Sequence, residues 1–203
     1  MRRHRGEREI WMVPPLPYDD AGVRYAVCDP AEVPALTEML ALTFVTSDPP
    51  AVAVGLTPTE FEAFVALVIA PKATQRLTVV ARDLASGTLA GALLSEDAAT
   101  PPPDGLAGLS EKFDPIFDLF GHLEDQPGQA EVVEAGTDLH LFVLGVDARF
   151  GGRGIAQRLV EAALARGSTM GYQTALTEAT NRTSQHIFGK AGFTTRAQAS
   201  YAD

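Results

Sequence analysis

One cysteine, Cys28, is all the thiol the 203 residues contain. It cannot close an internal disulfide, and without a CxxC partner it offers no zinc or redox pair, which fits a reducing compartment. Long apolar runs are missing too. No window reaches 18 consecutive apolar residues, and the opening MRRHRGEREIWMVPPLP is basic but holds no apolar stretch of signal-peptide length. No membrane partner is therefore expected, and the location expected is cytoplasmic. Positive charge is scarce: 16 Lys and Arg against 26 Asp and Glu leave a formal net charge of -10. Such a field repels phosphate backbones and concentrates cations, which argues against nucleic acid and tilts the ligand toward a cation such as an amine.

What is present is a core. With 46% hydrophobic residues the chain can bury one α/β domain. Residues 1 to 21 carry Pro14, Pro15 and Pro17 with no sustained period, so they read as a flexible tail, and 22 to 203 as a single domain. VRYAVCD (23 to 29) reads as a strand. Asp29-Pro30 then resembles an N-cap with proline at the first helical position, and Val33, Leu36, Leu40 and Phe44 give one apolar stripe to a helix over 30 to 44. SDPP breaks it. Thr57 with Glu60 forms a capping box for a second helix ending near Pro71. RLTVVARD (76 to 83) and TLAGALLSE (88 to 96), joined by LASG, read as a hairpin. Residues 97 to 136 form an insertion whose helix, interrupted near Pro115, spaces Phe113, Phe117 and Phe120 along one side, as in a substrate lid or an ordinary core stripe. DLHLFVLGVD (138 to 147) is apolar enough for a strand covered on both faces. A helix to Gly171, the strand TALTE, a short helix over 181 to 191 and an unfinished strand FTTRAQASY complete the order. The unfinished strand leaves an edge that points to a homodimer unless the tail covers it.

The densest signal is VLGVDARFGGRGIAQRLVEAAL, an apolar strand running through Arg149-x-x-Gly152-x-Gly154 into an amphipathic helix. Glycines let an anion approach the backbone, and a helix start offers unpaired N–H groups at the positive end of its dipole, so a diphosphate fits. A dinucleotide fingerprint would need Gly or Ala where Gln157 stands, and a P-loop needs Gly-Lys-Ser/Thr. Arg-x-x-Gly-x-Gly after a strand resembles motif A of the GCN5-related N-acetyltransferases (GNAT). EATNRTSQHIFGKAGF resembles their motif B, with Asn181, Ser184, Phe188 and Gly192-Phe193 in its spacing. The likeness runs from Val23 to Phe193. It implies an α/β fold with a mixed central sheet of six to seven strands flanked by helices, a helical insertion before the motif-A strand, and acetyl-CoA as the cofactor. It also implies site residues. Leu144, Gly145 and Val146 would meet the pantetheine arm, with the motif-A strand splayed from its neighbour to admit it. Arg149, Gly151, Gly152, Arg153, Gly154, Ile155 and Ala156 would hold the pyrophosphate, and Asn181 and Ser184 would lie near the thioester. Two departures stand out: Gly151 sits where many relatives have a basic residue, and Phe188 where many have the tyrosine that protonates the leaving thiolate.

An amine with a pKa near about 10 must lose a proton before it attacks. LTFVTSDPPAVAVGLTPTEF resembles the loop of insect dopamine-type arylalkylamine N-acetyltransferases, where an acidic residue before proline is the base. Asp48 occupies that place, although Asp before Pro also starts turns. His140 matches one of two strand histidines in the vertebrate arylalkylamine enzymes, with Phe142 at the second; it suits a proton relay or a structural role. Ser184, helped by Thr180, matches a hydroxyl near the sulfur, or serves as a helix cap. Cys28 reads as a small buried hydrophobe. The reading is direct acetyl transfer to a small arylalkyl or alkyl primary amine, without a metal. Its alternatives are a protein-lysine or aminoglycoside acetyltransferase, a non-catalytic acyl-CoA-binding module, and a nucleotide-binding protein.

Overall fold

The computed structural model describes residues 1–4, 13–69, 75–126 and 133–201. In chain order it holds β1 (Arg2–His4), β2 (Tyr18–Asp20), β3 (Val23–Val27), α1 (Val33–Ser47), α2 (Pro49–Ala53), α3 (Pro58–Ile69), β4 (Val79–Asp83), β5 (Leu89–Asp97), α4 (Asp114–Glu124), β6 (Asp138–Val146), α5 (Ile155–Thr169), β7 (Thr174–Leu176) and α6 (Arg182–Lys190). The strands make one mixed sheet in the order β1-β7-β6-β5-β4-β3-β2. Among the described strands β6 and β7 pair parallel, and the other neighbours pair antiparallel. Among the described residues no helix is long and apolar enough to cross a membrane.

Local chemistry explains most of these boundaries. The Asp29 carboxylate accepts from the Ala31 amide and Glu32 reaches back to the Asp29 amide, closing a capping box on a 3-10 turn that leads into α1. Thr57 and Glu60 do the same for α3. The sheet buries residues on both faces. Val79, Leu93, Leu139 and Leu141 pack with Leu159 of α5 and Phe188 of α6. Val80, Leu94 and Val143 pack with Leu36 and Leu40 of α1 and Phe64 and Val65 of α3. β6 is therefore covered on both sides, as its unbroken apolar run requires.

Four expectations are corrected. The first 21 residues are not uniformly a tail: Arg2–His4 pairs antiparallel with Thr174–Leu176, and Tyr18–Asp20 pairs with β3. Residues 5–12 lie outside the described residues. The segment FTTRAQASY is not a strand; it makes a single bridge, Thr194 to Arg2, because β1 already occupies the edge of β7. That cover removes the open edge from which a homodimer was argued. SDPP does not simply break a helix. α1 runs on to Ser47, and Asp48 caps α2, with Pro49 in its first turn where a missing N–H costs nothing. Pro115 likewise sits in the first turn of α4 rather than interrupting it. Pro71, where the second helix was expected to end, lies outside the described residues; α3 is described to Ile69.

Candidate active site

The pairing of β6 with β7 ends early. Asp138, Leu139 and His140 pair with Thr174, Ala175 and Leu176, but β7 stops there while β6 continues to Val146. On its other side β6 stays bonded through this stretch, Leu144 to Leu93, Gly145 to Ala92 and Val146 to Gly91. β6 is thus unpaired with β7 beyond His140, so at Leu144–Val146 the described ladder holds it from the β5 side. Gly145 is required by the packing of α1 on this strand. A Cβ there would lie 2.5 Å from Leu40 Cδ2, so glycine lets α1 rest directly on the strand and fixes where its C-terminal end emerges.

Beyond β6 the chain turns through Gly152 (φ 74°) and Gly154 (φ 75°), both in the left-handed region that favours glycine. A Cβ at either would meet no atom within 4 Å, so the space above the turn is open. Gly154 is the N-cap of α5 and supplies no side-chain acceptor. α2 and α6, by contrast, are capped by Asp48 and Asn181. The leading amides of α5 therefore meet no capping side chain and face open space, the arrangement in which a helix N-terminus can receive an anion. The two motif arginines are engaged within the protein. Arg149 Nε lies 3.0 Å from Asp147 Oδ2, and Arg153 Nη1 donates to Asp83 Oδ1 at 2.9 Å. Such a site thus rests on glycine geometry and backbone amides, and Arg153 pins the turn to the end of β4.

Asp48 sits where α1 hands over to α2 and is only 8% exposed. Its Oδ2 accepts from the Ala51 amide at 3.3 Å, and its Oδ1 accepts from the Thr180 hydroxyl. Burial pushes its carboxyl above the ordinary range, and these two donors hold part of that rise back. Asp48 is thus both the helix cap that turn chemistry suggested and a buried carboxylate facing the loop between β7 and α6.

His140 is clamped: Nδ1 lies 3.1 Å from Glu96 and Nε2 2.7 Å from Glu178. Burial alone would lower its pKa, but the two carboxylates overcome that and push it up to about 9. The ring is an imidazolium at neutral pH with both N–H groups donated, so it has no lone pair with which to accept a proton. Burial acts to raise Glu178, and the His140 charge prevails and holds it below the usual range. Ser184 is the third residue of α6 and completes the capping box of Asn181: its amide donates to Asn181 Oδ1 at 2.8 Å and its hydroxyl donates to the Asn181 carbonyl at 2.9 Å. Phe188 is buried and packs edge-on against Phe193, 5.1 Å between ring centroids.

A cavity of about 660 Å³ lies beside the end of β7, lined by Leu176, Glu178 and Thr180, by Leu119, Phe120 and Leu123 of α4, and by Met1 and Arg2. The aromatic stripe of the insertion is therefore split. Phe113 is buried and stacks on Phe64, Phe117 stacks on Phe113, and only Phe120 of the three reaches the cavity. The Glu96–His140–Glu178 clamp and the contribution of Tyr201 to the cavity wall were not foreseen from the sequence. TALTE placed Glu178 at a strand end, but pairing it with His140 needs the register of two strands, which sequence spacing does not supply.

Residues 105–193 match the model of the acetyltransferase (GNAT) family. Three solved structures are similar across most of their length. The C-terminal condensation domain of Ebony in complex with beta-alanyl-dopamine superposes with a TM-score of 0.73 at 13% identity, over 83% of this chain and 81% of that one. Arylalkylamine N-acetyltransferase 2 from Aedes aegypti gives 0.72 at 23%, over 89% and 86%. An agmatine N-acetyltransferase gives 0.63 at 20%, over 84% and 82%. At these identities the superpositions establish the fold, and the family model reads the motif-A and motif-B region directly. Over residues 105–193, which carry the glycine turn and the α6 segment, the chain is similar to the acetyltransferase (GNAT) family.

Proposed function

We propose that the chain transfers the acetyl group of acetyl-CoA to a small primary amine, of arylalkyl or alkyl type, by direct attack with both substrates bound. The observation that carries this reading is the buried Asp48 carboxylate, held by the hydroxyl of Thr180, a residue that lines the cavity beside the end of β7. The names of the similar proteins, acting on arylalkylamines and agmatine, support an amine acceptor.

The free edge of Leu144–Val146 would bond the pantetheine arm. Gly152, Gly154 and the first amides of α5, those of Ile155 and Ala156, would hold the pyrophosphate. When bound, acetyl-CoA supplies an activated thioester. Asp48 takes the amine's proton through a water, because its short side chain is already committed to two donors. Its raised pKa moves it toward the range in which a carboxylate works as a base near neutral pH. Ser184 lies beside Asn181 as motif B requires, and its hydroxyl can serve the thiolate only by turning from the Asn181 carbonyl, so solvent shares that role. His140 acts by holding Glu178 ionised at the cavity wall, where the carboxylate favours a cationic acceptor. α4, whose Leu119, Phe120 and Leu123 cover the cavity and which has no fully buried residue, is the lid.

A screen of amine acceptors with thiol detection tests the reading. An acyl-CoA-binding module without catalysis is the second reading, favoured by the burial of Phe188 where many relatives carry the acid. Amine-dependent release of CoA excludes it.

A further inference from the structure

We infer that Tyr201 is a positioning residue for Asp48, acting through Thr180. The inference rests on the reading of Asp48 as the proton acceptor, and it starts from the segment that the sequence suggested was an unfinished strand. That segment crosses the cavity instead: Thr195, Gln198 and Tyr201 all line it. Two tethers hold it. Gln126, just past α4, donates from Nε2 to the Gln198 carbonyl at 2.9 Å and accepts from the Gln198 amide at 3.4 Å. Three residues on, the Tyr201 hydroxyl donates to the Thr180 carbonyl at 2.6 Å.

Thr180 lies in the irregular stretch between β7 and α6, where no ladder fixes the peptide planes. Its hydroxyl must point at Asp48 for the pair to form. The peptide that follows it is set by the Tyr201 bond on its carbonyl and by Asn181, the cap of α6. Removing the phenol hydroxyl frees that carbonyl to rotate, and the threonine hydroxyl loosens with it. Among the described residues, the groups that act on Asp48 are the Thr180 hydroxyl from this loop, the Ala51 amide from α2 and the Tyr201 phenol from the C-terminal segment. Burial, and then the Asp48 carboxylate, push the Tyr201 phenol up, so it remains a donor across the neutral range. Tyr201 therefore ties acceptor-cavity closure to the state of the base: with the segment in place the carboxylate is held, and with it displaced the carboxylate loses a donor.

The experiment is a carbon-13 titration of the Asp48 carboxyl in the full chain, for wild type, Tyr201→Phe, Thr180→Val and the double variant. Phenylalanine keeps the ring against the cavity and removes only the hydroxyl. The expected result is an upward shift of the Asp48 midpoint by roughly half a unit in Tyr201→Phe, the scale of a weakened neutral hydrogen bond. A larger shift is expected in Thr180→Val, with no further shift in the double variant, since both changes act on one bond. The acid limb of kcat/KM for the amine should move with the midpoint, while acetyl-CoA affinity stays at the wild-type value. Thr180→Ala replaces Thr180→Val should the latter not fold. An unmoved midpoint in Tyr201→Phe overturns the inference, and so does an equal increment with and without Thr180. The titration needs no turnover, so a chain that acetylates no amine would defeat the proposed function while leaving this answer readable.

Discussion

The hydroxyl of Thr180 donates to the carboxylate of Asp48 across 132 residues of sequence, joining the end of α1 to the loop that opens α6. The bond ties the buried carboxylate to the same loop that leads into Asn181 and Ser184 at the start of α6.

Asp48→Asn keeps the shape and the helix cap while removing the charge. It should lower kcat/KM at neutral pH by about two orders of magnitude or more, the usual scale of general base catalysis, with acetyl-CoA affinity nearly intact. Raising the pH should restore part of the rate, because bulk solvent then supplies free amine. Wild-type rates across the pH range in Asp48→Asn would remove it from the chemistry.

The Glu96–His140–Glu178 clamp gives a stability signature of defined sign. The folded pKa of His140, about 9, lies above its ordinary 6.5, so its contribution is fully present below about 6.5 and is lost as pH rises through about 9. Chemical unfolding should show a gap between wild type and His140→Gln that is widest at the acid end of this window and narrows toward its alkaline end. A gap that widens with rising pH would mean that the imidazole is neutral in the fold. Kinetically, His140→Phe should cost less than Asp48→Asn.

Gly154→Val should abolish most acetyl-CoA binding in calorimetry, because a β-branched side chain would fill the open space over the α5 amides. Backbone strain is controlled by Gly87→Val, a hairpin-turn glycine with φ of 71° and equally open surroundings. That variant should lose comparable stability and keep its affinity. Equal affinity losses in both would assign the effect to strain, and none in Gly154→Val would move the pyrophosphate elsewhere.

Gly145→Ala probes the seat of α1. The added methyl meets Leu40, which is fully buried and has nowhere to retreat, so a loss of roughly 1–3 kcal/mol in unfolding free energy is expected from overpacking. The rate should fall as well, since α1 carries Asp48. Unchanged stability would mean that α1 does not rest on β6.

Much of this was legible in the sequence because it is written locally. The N-cap at Asp29, the capping box at Thr57, the hairpin around LASG and the glycine turn into α5 each depend on residues within a few positions of one another, and each formed as read. What was not legible depends on distant partners. Arg2–His4 lacks any strand period over three residues and becomes a strand because β7 offers an open edge and Asp138 a partner for Arg2 at 2.6 Å. Phe113 and Phe120 look alike on one helical stripe, yet packing against Phe64 sends the first to the core and leaves the second at the cavity. From its residue type alone His140 reads as either a relay or a structural histidine. Only its two carboxylate neighbours, one on β5 and one beyond β7, turn it into a fixed cation.

The most direct measurement is release of free CoA thiol from acetyl-CoA across a panel of arylalkyl, alkyl and diamine acceptors, with mass detection of the product. The account predicts thiol release that requires an amine, saturates with it, matches the N-acetylated product mole for mole, and falls sharply in Asp48→Asn. Tight acetyl-CoA binding with no amine-dependent thiol release would contradict it and leave an acyl-CoA-binding protein in its place.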